Sequence, residues 1–208
     1  MMQPLTRLKD TPSQTAGPYV HIGTMPNFAG IGGVYPSDLG VRPVSPKVAG
    51  ERIILTGHVF DGAGVPLKDA LIEIWQADAK GLYAGHGEYR GAADEHFNGW
   101  MRQPVDGATG LYRFETIKPG QVPFIDGRMM APHVSLWIVA RGINLGLHTR
   151  LYFGDEEDAN AADPLLARIE LRHRVATLIA ARGAAEGMPC YRFDIHLQGD
   201  KETVFLDI

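Results

Sequence analysis

From residue 52 onward the chain is a succession of short apolar runs, each stopped by glycine, proline or aspartate before a helix of ordinary length could form. RIILTGHVF (52–60), the turn DGAGVP and DALIEIWQAD (69–78) read as two strands joined by a Gly/Pro-rich hairpin. In LYRFETI (111–117), Tyr112, Phe114 and Thr116 alternate with Leu111, Arg113 and Glu115, the period of a strand with one buried and one wet face. HVSLWIVAR (133–141) and LHTRLYF (147–153) are separated by GINLG, and YRFDIHLQG (191–199) and TVFLDI (203–208) flank the turn DKE as a further hairpin. At least seven strands follow, which predicts a mainly β fold, a two-layer β-sandwich. The 25 glycines and 14 prolines, scattered without a repeat, agree with many tight turns.

One region reads as helical. ADPLLARIELRHRVATLIAAR (162–182) offers Asp163 as N-cap and Pro164 at the first helical position, with Leu165, Ile169, Leu178 and Ile179 on an apolar face. The polar stretch from Arg172 to Arg174 predicts a break, hence short helices on the rim. Residues 1–50 differ again: Pro4, Pro12, Pro18, Pro26, Pro36, Pro43 and Pro46 remove donors and fix φ, so neither a long helix nor a central strand fits. This is an extended N-terminal arm on a single domain of residues 51–208. Its anchors Tyr19, Val20, Ile22, Phe28, Ile31 and Tyr35 need a surface to bury against, one that another chain can supply.

A net charge of −4 and a pI near 6.0 give no basic footprint for nucleic acid. Cys190 is the only cysteine and cannot form an internal disulfide, no run reaches the roughly 18 apolar residues of a membrane span, and the first residues lack a secretory core; the chain reads as soluble and cytoplasmic. The histidines at 21, 58, 86, 96, 133, 148, 173 and 196 form neither an i, i+2 pair nor HExxH, so spacing alone proposes no metal site. There is no G-x-S-x-G elbow and no phosphate-binding glycine loop.

Five stretches carry a resemblance: TPSQTAGPYVHIG (11–23), GHVFDGAGVPLKDALIEIWQADAKGLY (57–83), ATGLYRFETIKPG (108–120), MAPHVSLWIVARGINLGLHTRLYF (130–153) and YRFDIHLQGDKETVFLDI (191–208). Together they are similar to the intradiol ring-cleaving dioxygenases of the protocatechuate 3,4-dioxygenase type, and within that family to the alpha kind of its two subunits. The resemblance implies a heteromeric enzyme whose beta subunit holds a non-haem Fe(III) with two tyrosines and two histidines. It also implies where those ligands fall in this chain. The first tyrosine matches Tyr83; the second matches Val122; the H-x-H step matches His133 and Ser135; and the arginine that precedes the histidines is replaced by Met130. Ferric iron prefers anionic oxygen donors supplemented by imidazole, and valine has neither charge nor lone pair. With two of the four positions changed, this chain is expected to bind no metal and to supply no catalytic residue. Tyr83 and His133 also have an ordinary explanation as buried polar groups satisfied by one another or by backbone.

The resemblance implies that this chain shapes the pocket of a homologous beta subunit in a higher alpha/beta oligomer, where protocatechuate is cleaved by O₂ to 3-carboxy-cis,cis-muconate in the β-ketoadipate pathway. Thr15, Gly17 and Pro18 match the arm segment that walls the substrate site, and Arg141 matches an arginine near the substrate carboxylate, whose planar fork suits such a group. A plain turn in the arm and a strand-end Arg141 paired with an acidic residue are the alternatives. A different class also stays open: a non-catalytic, transthyretin-like β-sandwich that binds a ligand or a protein.

Overall fold

The structure, a computed structural model, describes residues 15–207 apart from 18, 43 and 145. Pro18 therefore lies outside the described residues, as do most of the arm's first prolines. One layer of the fold is built from β1 (Arg52–Phe60), which pairs antiparallel with β4 (Leu111–Ile117) and parallel with β10 (Met188–Arg192) and β11 (Ile195–His196). The second layer holds β2 (Leu71–Trp75) between β3 (Trp100–Pro104) and β7 (His133–Val139), with β8 (Leu147–Phe153) beyond β7. β9 (Ile179–Ala185) joins the layers, antiparallel to β10 and parallel to the end of β8. A separate ribbon, β5 (Val122–Pro123) and β6 (Met129–Met130), lies before β7.

Alternation decides which side chains meet between the layers. Ile53, Leu55 and Val59 of β1, Tyr112 and Phe114 of β4, Ile72 and Ile74 of β2, and Val134, Leu136 and Ile138 of β7 form one buried cluster. Burying each such side chain contributes roughly 1.5 to 3 kcal/mol. The expected faces of the 111–117 strand are observed: Tyr112, Phe114 and Thr116 are buried, while Leu111, Arg113 and Glu115 face outward. Gly57 interrupts the inward row because a Cβ there would collide with the Phe193 carbonyl, to which the Tyr112 hydroxyl also donates.

The sandwich is as the alternation predicts, but several connections are not. β1 and β2 are not a hairpin; they lie in different layers, and the turn after β1 closes locally through Asp61 N to Val65 O at 3.0 Å. The segment TVFLDI forms no strand among its described residues, only a bridge from Leu206 to His148. The run 162–182 does hold short, interrupted helices, though 3-10 and not α, at Leu166–Arg168 and Arg172–Leu178, and its end enters β9 instead of continuing as helix. Alanine-rich IAARGAA has helical propensity, but it lies between two strands with open edges, and pairing outweighs propensity there. Asp163 does cap, though not an α-helix. Its Oδ1 accepts from Leu165 N and Leu166 N and its Oδ2 from Ala131 N, all at 2.8 Å, which ties the 3-10 turn to the start of β7. Two short helices were not anticipated: α1 (Tyr19–Thr24) in the arm and α2 (Glu157–Ala162) after β8.

Of the arm's anchors, Val20 packs against the cluster of Met25, Leu71 and Val139. Tyr19, Ile22, Phe28, Ile31 and Tyr35 remain exposed, Tyr19 by 80%.

Candidate functional site

The residues at the family's ligand positions converge although they come from three elements. After β2 the chain turns about the buried carboxylate of Asp78, which accepts from Lys80 N, Leu82 N and Asp94 N at 2.8 to 2.9 Å. That turn returns Tyr83 over β2, where it stacks on Trp75 with centroids 6.2 Å apart and planes 10° from parallel. Val122 is placed by the β5–β6 ribbon, opposite Met130, and packs in one cluster with Ala77, Met130, Tyr83 and Phe124. His133 and Ser135 occupy the outward face of β7, paired with Tyr152 and Arg150 of β8; Trp75 lies across from Ser135 on the other side.

The chemistry of this donor set does not fit a ferric ion. Val122 is 2% exposed and purely hydrocarbon. Burial raises the pKa of the Tyr83 phenol, against the lowering influence of Arg150 and Arg90, so at neutral pH it is a phenol and not a phenolate. The His133 Nδ1–H donates to the Ala131 carbonyl at 2.8 Å, which leaves Nε2 as a lone pair; that atom is buried and has no partner among the described residues. Burial, seconded by the Arg150 charge, pushes the His133 pKa down to about 3. One neutral imidazole, one phenol, one alcohol and one alkyl group cannot balance a trivalent cation. Among the described residues no group of three or more histidine, cysteine or acidic side chains converges to hold a metal.

The sequence reading missed Arg150. Its Nη1 lies 3.2 Å from the sulfur of Met130, and its strand position is opposite Ser135. The signal lay in the alternation of LHTRLYF: His148, Arg150 and Tyr152 share a face, which a hairpin turns toward the face of His133 and Ser135.

At the other end of β7 the arm meets the β7–β8 turn. The Gly142 N donates to Thr15 Oγ1 at 2.8 Å, Ala16 N donates to Ile143 O at 3.3 Å, and the Gly17 carbonyl accepts from Val20 N at 3.0 Å to open α1. Arg141 is exposed and pairs with Asp69 at 2.7 Å. It borders a surface cavity of about 630 Å³, together with Gly62, Leu67 and Asn144. Thr15, Gly17 and Arg141 are thus brought together, and Pro18 lies outside the described residues. Six residues of β7 and the turn that follows separate His133 from Arg141, roughly 20 Å along the strand. The two groups of candidate residues therefore do not share a pocket.

The family model described as Dioxygenase matches residues 26–199. The chain is 45% identical over 206 residues to the protocatechuate 3,4-dioxygenase alpha chain of Pseudomonas putida, covering 98% of this chain and 99% of that one. It is also 35% identical over 163 residues to the protocatechuate 3,4-dioxygenase beta chain of Burkholderia cepacia, covering 74% of this chain and 67% of that one. Among solved structures, the dioxygenase domain of a carbohydrate-binding fusion protein from Streptomyces sp. SirexAA-E is similar, with a TM-score of 0.52 and 25% identity over 77% of this chain and 86% of that one. No helix among the described residues is long and apolar enough to cross a membrane.

Proposed function

Because the chain belongs to the intradiol dioxygenase family, whose members use non-haem iron, we propose that it is the alpha subunit of a protocatechuate 3,4-dioxygenase and that the Fe(III) is held by its beta partner. The reaction is cleavage of protocatechuate between its two hydroxylated carbons, with both atoms of O₂ entering the product 3-carboxy-cis,cis-muconate. This chain supplies walls and charge; it contributes no metal ligand and no catalytic residue. The single cysteine, which leaves no disulfide within the chain, supports a cytoplasmic setting.

One observation carries the reading. Thr15, Gly17 and Arg141, the substrate-facing positions on this reading, lie past the far end of β7 from His133, roughly 20 Å along the strand. Residues so placed cannot serve a centre in their own chain, and they suit one in a neighbour that abuts the arm. Gly17 lets backbone approach a flat ring, Pro18 presents a rigid apolar edge, and Arg141 offers its fork to a carboxylate. Asp69 already holds Arg141, so the arginine acts on the anion from a fixed direction, a positioning contribution.

The test is to purify the chain alone and together with a beta-type chain, and to follow O₂ uptake with protocatechuate. Activity confined to the pair is the expected result. Activity of the isolated chain overturns the division of labour, and failure to form any complex favours the binding-module alternative.

A further inference from the structure

Losing two ligands explains why iron would bind weakly in this chain; it does not explain what the remaining lone pairs face. Among the described residues the Nε2 of His133 is buried without a partner, and so is the Nε of Arg150. Arg150 is set directly opposite Ser135 in the β7–β8 register, touches the Met130 sulfur through Nη1, and acts electrostatically on Tyr83, His133 and Tyr152. These residues ring the place where the family's ligand positions converge. Among the described residues no carboxylate pairs with this guanidinium. That is unlike Arg52, Arg90, Arg102 and Arg174, each of which meets a glutamate. An arginine half-buried among a phenol, an imidazole and a thioether has electron-rich neighbours but no counter-ion.

We propose that Arg150 is a built-in cation standing in for the metal, and that its charge keeps this pocket free of iron independently of the lost ligands. A positive charge held beside the convergent donors opposes a trivalent ion. The guanidinium is also suited to the role. It is planar, it stays charged, and its donors can face several lone pairs at once. The inference rests on the reading that this chain holds no iron, and it makes a separate claim: restoring the ligands is insufficient while Arg150 remains.

The experiment uses the alpha/beta complex and reads iron per pair, together with the visible tyrosinate-to-iron band. The native pair should hold about one iron, in the beta chain. Val122→Tyr/Ser135→His should leave both readings unchanged, and adding Arg150→Gln should raise each about twofold. Arg150→Lys in the same background keeps the charge and should keep the single iron. Full loading of the double variant with Arg150 intact, loading of the lysine variant, or no gain in a folded triple variant each overturns the proposal. About two irons in the native pair would instead sink the functional reading itself, so the two failures are distinguishable. Should the added tyrosine overpack the ribbon, Ser135→His is compared with Ser135→His/Arg150→Gln using cobalt(II), which keeps Val122. A cobalt absorption band only when Arg150 is replaced supports the proposal; equal bands with and without Arg150, or no band in either, contradict it.

Discussion

At one end of β7, His133 and Ser135 pair with Tyr152 and Arg150 of β8, and Arg150 touches Met130 in the cluster that holds Tyr83 and Val122. At the other, Arg141 and the β7–β8 turn lie at the surface beneath a docked arm. The first end has the family's framework without its donor chemistry. The second has charge and shape without a metal centre within reach. On the proposed reading one strand serves two tasks: its inner end packs within this chain, and its outer end faces a partner. The exposed apolar residues of the arm, Tyr19, Phe28, Ile31 and Tyr35, belong to that second end.

The comparison is broken most severely by removing what anchors the inner end. Asp163→Ala strips three backbone N–H groups, including that of Ala131 before β7, of their acceptor. A loss of about 3 to 5 kcal/mol is expected in denaturant unfolding. If the loss is below about 1 kcal/mol, the inner end is not the structural one.

Acid should find the same end. The folded His133 titrates near 3 instead of 6.5, so below 6.5 the unfolded chain takes up a proton that the folded chain refuses. Stability therefore falls as pH drops through that window, by about 3 kcal/mol at about pH 4 from this residue alone. His133→Gln should flatten that part of the pH profile, measured by thermal or urea unfolding.

Smaller effects are expected at the outer end, and they should appear in substrate binding. Arg141→Ala should raise KM for protocatechuate in the complex about tenfold, close to 1.4 kcal/mol, with kcat within about twofold. Because its pair with Asp69 is exposed, stability should change by less than about 0.5 kcal/mol. Smallest of all, Tyr83→Phe should leave the activity of the complex within about twofold, since the ring still stacks on Trp75. A drop of a hundredfold or more, roughly 2.7 kcal/mol, would move Tyr83 into the reacting centre and erase the contrast between the two ends.

Much of this was legible in the chain itself. Apolar runs bounded by turn residues located β1, β7 and β8, period-two alternation located β4, and the resemblance pointed to Tyr83, Val122, His133 and Ser135 before their convergence was visible. What escaped detection depended on partners distant in sequence. β9 is alanine-rich and mostly exposed, and only the open edges of β8 and β10 make it a strand. β3 is the short WMRQP, with a single strongly buried side chain, Met101, so it carries almost no periodic signal. The β1–β2 connection looked like a hairpin because turn chemistry specifies a reversal, not which layer the next strand joins. Arg150 was hidden for a similar reason: its meaning lies in a cross-strand register, and register is a property of the pair.

The most direct test is iron-edge anomalous diffraction from crystals of the complex formed with the beta chain. One iron peak per pair is expected, coordinated by residues of the beta chain, with Arg150 of this chain still against Met130. An iron peak bonded to Tyr83 Oη and His133 Nε2, with Arg150 swung aside, would contradict this expectation.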